Sequence, residues 1–104
     1  LTQGHVDATG TLLSKEQEGE ALLMRFQAPP QVMKYVVEKG FIAVDGISLT
    51  VMAHDDSTFT VSVVEYTREN TTLGHRESGG VVNLEVDILA KYVEKLLSAR
   101  GGPR

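Results

Sequence analysis

Cysteine is absent from this chain. That excludes a disulfide framework, a thiolate nucleophile and any cysteine-ligated zinc, and it suits a cytosolic protein. Long apolar runs are missing too, since nothing approaches the roughly 20 residues that carry a helix across a bilayer. The opening Leu1-Thr2-Gln3-Gly4-His5 has neither the basic start nor the apolar stretch of a signal peptide. Basic charge is sparse. With 14 acidic against 10 basic side chains and a net charge of -4, no window gathers the Lys/Arg cluster that phosphate backbones require. There is no Gly-x-Ser-x-Gly, no Walker loop, no His-Glu-x-x-His and no Gly-x-Gly-x-x-Gly after a strand. His5, His54 and His75 are too dispersed for their spacing to announce a metal site. From these absences the chain is expected to be soluble and cytoplasmic, with no metal, and with neither nucleic acid nor membrane as a partner.

What is present fits one small domain. The 104 residues, 41% of them hydrophobic, can enclose a single core. Leu1 is not an initiator methionine, so the chain is expected to be processed or part of something longer. Residues 6–13 and 21–26 mix apolar and small side chains and predict two strands, with the polar run Ser14-Lys15-Glu16-Gln17-Glu18-Gly19-Glu20 as a solvated loop between them. Pro29-Pro30 can open a helix, because the first turn does not need proline's missing N–H. Val32, Met33, Val36 and Val37 then recur at helical spacing and predict a helix ending near Lys39. Asp45-Gly46, between Phe41-Ile42-Ala43-Val44 and Ile47-Ser48-Leu49-Thr50-Val51, is the strongest hairpin signal in the chain. In residues 58–63, Phe59, Val61 and Val63 alternate with hydroxyls, the mark of a half-buried strand. Residues 66–73 are polar and Thr-rich, residues 75–80 read as a loop, and residues 81–86 return to strand character. After Asp87, Leu89, Tyr92, Val93, Leu96 and Leu97 form a helical stripe that Gly101-Gly102-Pro103 stops.

Short strands without regular strand-helix alternation predict an all-β fold. The expected architecture is a six-stranded antiparallel Greek-key β-barrel with a short internal helix and a C-terminal helix, closure removing the exposed edges of a small open sheet. The barrel is expected over residues 1–87 and the helix over 88–100, with a tail at 101–104. The terminal stripe exceeds what one barrel end readily covers, so this helix is expected to be an oligomerisation element.

Local pattern alone gives each polar candidate a plain structural reading. Ser48 and Thr50, two apart on one strand, point to the same face, opposite Ile47, Leu49 and Val51. They line either a polar pocket outside the barrel or a solvated strand face. Lys39 and Asp45 bracket one strand and read as a surface pair, or as a helix-end lysine and a turn aspartate. Asp87 is a natural N-cap, although a carboxylate at a helix mouth can also accept bonds from a polyol. Thr67, Thr71 and Thr72 suit turns, and His5 lies near a chain end.

Several stretches together resemble the riboflavin synthase family, across almost the whole chain. Gly4-His5-Val6-Asp7 is similar to the segment that opens that family's second barrel. The longest matching run is Lys34-Tyr35-Val36-Val37-Glu38-Lys39-Gly40-Phe41-Ile42-Ala43-Val44-Asp45-Gly46-Ile47-Ser48-Leu49-Thr50-Val51. Thr67-Arg68-Glu69-Asn70-Thr71-Thr72-Leu73 and Val82-Asn83-Leu84-Glu85-Val86-Asp87-Ile88-Leu89-Ala90-Lys91-Tyr92-Val93 resemble its third and fourth blocks, in the right order.

The resemblance implies a cofactor-free dismutation, in which two molecules of 6,7-dimethyl-8-ribityllumazine exchange a four-carbon unit to give riboflavin and a pyrimidinedione. Family members carry two tandem barrels and form homotrimers, with each site made where a first barrel meets the second barrel of a neighbouring subunit. This chain resembles the second barrel, and on its own it is expected to be inactive. By resemblance Ser48, Thr50 and Thr67 contact the lumazine, Val64 packs against its ring and Asp87 binds the ribityl chain. His5, Lys39 and Asp45 fall where the family is implicated in binding or proton movement, and they are the implied catalytic residues. Two departures stand out: Tyr66 occupies a position where the family often has histidine, and the first barrel with its Met-Phe-Thr-Gly-Ile start is not in this sequence. The alternative is a non-catalytic lumazine or flavin binder like the lumazine proteins. A third reading, a generic barrel for protein contacts, implies no lumazine binding.

Overall fold

The computed structural model describes residues 8–64, 67, 72–86 and 95–97. Its strands are β1 (Ala8–Glu18), β2 (Ala21–Gln27), β3 (Phe41–Val44), β4 (Ile47–His54), β5 (Thr58–Val64) and β6 (Val81–Val86). They close into a barrel in the order β1-β2-β5-β4-β3-β6, all pairs antiparallel. This is the closed six-stranded antiparallel barrel that the strand pattern predicts. One short helix, α1 (Pro30–Met33), connects β2 to β3, and a 3-10 turn (Thr72–His75) precedes β6.

Two tight turns fix the register of the hairpins. Asp45 (φ 51°) and Gly46 (φ 83°) both lie in the left-handed region, the requirement of a type I′ turn, and they join Val44 to its registered partner Ile47. Gly19 (φ 62°) supplies the first central residue of the turn between Glu18 and Ala21. Alternation then sorts the side chains. Phe59, Val61 and Val63 are fully buried, as their spacing predicts, together with Leu12, Met24, Phe26, Val44 and Leu84. Val32, Met33 and Val36, from α1 and the segment after it, join this core along with Leu73 of the 3-10 turn. Each fully buried aliphatic or aromatic side chain contributes about 1.5–3 kcal/mol.

The barrel departs from the sequence reading in three places. The polar run after Leu13 is strand rather than loop: β1 continues to Glu18, pairing with β2 down to Glu18↔Ala21. Its exposed side chains cost nothing there, because the backbone ladder makes the pairing. A bulge between Leu12 and Ser14 interrupts this register, and around it Gly79 N–H donates to Leu12 O (2.7 Å) while Leu12 N–H donates to Gly80 O (2.9 Å). The internal helix stops at Met33, well short of Lys39. Val36 is nevertheless buried and Val37 exposed, so the apolar stripe anchors the connection without a continuous helix, which would be marginal at this length. Thr58 is buried rather than on a solvated face. The expected C-terminal helix lies outside the described residues except at 95–97, which are helical and expose Leu96 and Leu97.

Candidate functional site

Two strands part on one side of the barrel. The β4–β5 register runs from Val51↔Val61 to His54↔Phe59, and among the described residues none of 47–50 is paired with 62–64. Residues 47–50 keep β3 as a neighbour, and residues 62–64 keep β2. Counting back along both strands from Val51↔Val61 brings Ser48 level with Val64 and Thr50 level with Ser62. In the β3–β4 ladder the two-residue turn makes Val44 and Ile47 a hydrogen-bonded pair, and Val51 N–H donates to Gly40 O at 2.9 Å. By alternation, the N–H and C=O of Ser48 and Thr50 point away from β3, toward the side where the ladder opens.

The side chains on the two lips are of complementary character. Ser48 and Thr50 are exposed on the outer face of β4, while Leu49 and Val51 are buried behind them. Thr50 lies opposite Phe41 of β3, 59% exposed, and across the gap Val64 is 58% exposed. Apolar surfaces left open beside hydroxyls and turned-out backbone groups can take a flat ring against the apolar walls with hydrogen bonds at its edge. Phe41 and Ser62 were not singled out from sequence. The period-2 pattern that places Thr50 also places Ser62 on its outer face, and it was the available signal.

The structure brings Ser48, Thr50 and Val64 to this opening. Thr67 lies three residues beyond the end of β5 and is half-buried. His5 and Asp87 lie outside the described residues, as do Tyr66 and Thr71. Lys39 has φ 71°, left-handed for a side chain that is not glycine, and its N–H donates to Val51 O at 2.8 Å. Lys39 and Asp45 do not form the surface pair that sequence allowed. Asp45 pairs instead with Arg76, at 2.9 Å. Among the described residues no three His, Asp or Glu side chains cluster as metal ligands would, and no helix is long and apolar enough to cross a membrane.

Comparison with known proteins places the chain in a family. Residues 3–87 match the family model of the lumazine binding domain. The chain belongs to the lumazine-binding domain family. This lumazine-binding domain is 45% identical over 100 residues to riboflavin synthase of Schizosaccharomyces pombe, covering 95% of the domain and 48% of that protein. It is 49% identical over 104 residues to riboflavin synthase of Mycobacterium bovis, covering 97% and 52%. The lumazine-binding domain thus spans about half the length of the curated relatives it matches. Among solved structures, LumP complexed with 6,7-dimethyl-8-(1'-D-ribityl) lumazine superposes with a TM-score of 0.77 at 23% identity, over 84% of this chain and 49% of LumP. LumP complexed with riboflavin gives 0.77 at 20% identity. At such identity the likeness shows the shared barrel fold.

Proposed function

We propose that the domain supplies one half of a composite riboflavin synthase site, binding 6,7-dimethyl-8-ribityllumazine and releasing riboflavin. The observation that carries this is the opening between β4 and β5, with Ser48 and Thr50 on one lip and Val64 on the other. The ring system lies against Phe41 and Val64, its edges meet the hydroxyls and backbone of Ser48 and Thr50, and Thr67 adds a further contact. Asp87 accepts bonds from the ribityl hydroxyls. Loss of a proton from the lumazine 7-methyl group starts the chemistry; of the three residues the resemblance implies for it, His5, Lys39 and Asp45, we assign the proton to His5 and Lys39, because Asp45 is engaged by Arg76. No cofactor is required, because one lumazine is donor and the other acceptor of the four-carbon unit.

The second lumazine needs a second barrel. Holding two reactants in register contributes roughly 7–11 kcal/mol to such a barrier, so the chain alone binds its ligand weakly and does not turn it over. The partner is the first barrel of a neighbouring subunit in a cytoplasmic homotrimer, and the exposed Leu96 and Leu97 support self-association. A fluorescence assay of riboflavin formation tests this, using the chain alone and the chain supplied with an intact first barrel. Turnover is expected only in the second case. Full turnover by the chain alone overturns the half-site reading, and binding without turnover in the reconstituted pair favours a non-catalytic binder of the LumP kind. The 45% and 49% identities to two riboflavin synthases support the enzyme over that alternative.

A further inference from the structure

Asp45 is the first central residue of the β3–β4 turn, and its side chain is only 6% exposed. Both carboxylate oxygens are engaged. Oδ2 accepts from Arg76 Nε at 2.9 Å and lies 2.9 Å from Arg76 Nη2, while Oδ1 accepts from the N–H of Asn83 at 2.8 Å. The N–H of Asp45 donates in turn to Asn83 O at 2.8 Å. Arg76 follows directly on the 3-10 turn, whose Leu73 is fully buried. Lys15 of β1 donates from Nζ to Arg76 O at 2.8 Å and to Gly74 O at 3.4 Å. Strand β1 and the β3–β4 turn therefore meet at Arg76, and β6 joins them through its two backbone bonds to Asp45.

An ion pair between two exposed side chains contributes little. This one differs, because the carboxylate is enclosed and the guanidinium supplies most of its donors; without Arg76 an enclosed charge keeps one donor. Its place in the fold gives it a task. Residues 47–50 begin straight after the turn, and they lack a registered ladder to β5. One of their two lateral supports is missing.

We infer that Arg76, acting through Asp45, is a positioning residue that replaces this missing support and holds Ser48 and Thr50 at the lip of the ligand opening. Asp45 is then part of the clamp and not a proton carrier. The effect on ligand rests on the function proposed above, whereas the clamp itself does not.

Amide hydrogen exchange in the ligand-free chain tests the clamp. Arg76→Ala accelerates exchange at Ile47 and Leu49 by about tenfold more than at Met24 and Val61, which lie in the fully paired β2–β5 ladder. Equal acceleration in both ladders, or none at Ile47 and Leu49, overturns it. Arg76→Lys keeps the charge without the planar fork; it gives the same pattern at smaller amplitude and decides the matter if the alanine variant does not fold. Titration with 6,7-dimethyl-8-ribityllumazine supplies the second readout. Arg76→Ala and Asp45→Asn each weaken binding by about tenfold, and the double variant is no weaker than either single one. Additive losses show Asp45 acting on the ligand itself and overturn the inference. If the unmodified chain fails to bind the lumazine, the proposed function falls, and the exchange contrast still decides the clamp.

Discussion

Phe26 and Phe59 are direct partners across β2 and β5, with ring centroids 5.4 Å apart and planes at 30°. Both are fully buried, and the pair joins the two strands in the middle of the core. Truncating either ring removes its buried area and leaves a cavity that a closed barrel cannot collapse around. Phe59→Ala is expected to lower unfolding free energy by about 3–5 kcal/mol and Phe59→Leu by less. Urea unfolding of the chain measures this as a lower midpoint at unchanged slope.

The β4–β5 turn gives the barrel an acid-sensitive element. Asp55 Oδ1 accepts from Ser57 N–H at 3.0 Å, the Thr58 hydroxyl at 2.8 Å and Thr58 N–H at 2.8 Å. These bonds, led by that from Ser57, lower its pKa from 3.8 to about 2; slight desolvation opposes them and the charge of Arg25 assists. The folded value lies below the unfolded one, so the stabilisation is present above pH 3.8 and disappears as pH falls through about 2. Asp55→Asn should flatten that part of the profile. The check is the melting temperature of both proteins across this acid range, where parallel curves would deny Asp55 the role.

Lys39 carries backbone strain at a position assigned to proton movement. A left-handed φ costs a side-chain-bearing residue about 1–2 kcal/mol, part of which glycine returns as unfolded-state freedom. Lys39→Gly is expected to stabilise the chain by about 0.5–1 kcal/mol while lowering riboflavin formation in the reconstituted pair. Lys39→Ala retains the strain and lowers activity alike. Gain of stability with full activity would remove Lys39 from the site.

Ser48→Ala and Thr50→Ala should each weaken lumazine binding by roughly 3- to 10-fold, the scale of one hydrogen bond, with little change in stability. Thr58→Ala provides the opposite contrast. Its hydroxyl donates to Asp55 and accepts from Arg25 Nε at 3.2 Å, so its loss lowers stability by about 1–2 kcal/mol and leaves affinity unchanged. Fluorescence titration beside thermal unfolding separates the two patterns, and equal affinity losses at Thr50 and Thr58 would sink the assignment of the lip.

Where the controlling physics is local, the sequence was a sufficient guide. Asp45-Gly46 announced its turn because few residue pairs accept two successive left-handed conformations. Residues 59–63 announced their inner face because a strand turns over at every residue. The outward direction of Ser48 and Thr50 followed from the same alternation. The long matching run from Lys34 to Val51 added the expectation of a lumazine site.

Pairing beyond a single hairpin was not legible in that way. The polar residues at the end of β1 carry no apolar pattern, yet they are strand because β2 offers a free edge. The stripe from Val32 to Val37 was read as one helix, whereas burial asked only for Val32, Met33 and Val36 to reach the core. By itself the sequence determined a β-barrel, its tight turns and the faces of its strands, because sterics and alternation act over a few residues. Only the tertiary structure decided that β4 and β5 part beside Ser48 and Val64, and that Asp45 answers to Arg76 rather than Lys39. Those relationships join residues 16 and 31 positions apart, whose distances are set by barrel closure and which no local pattern encodes.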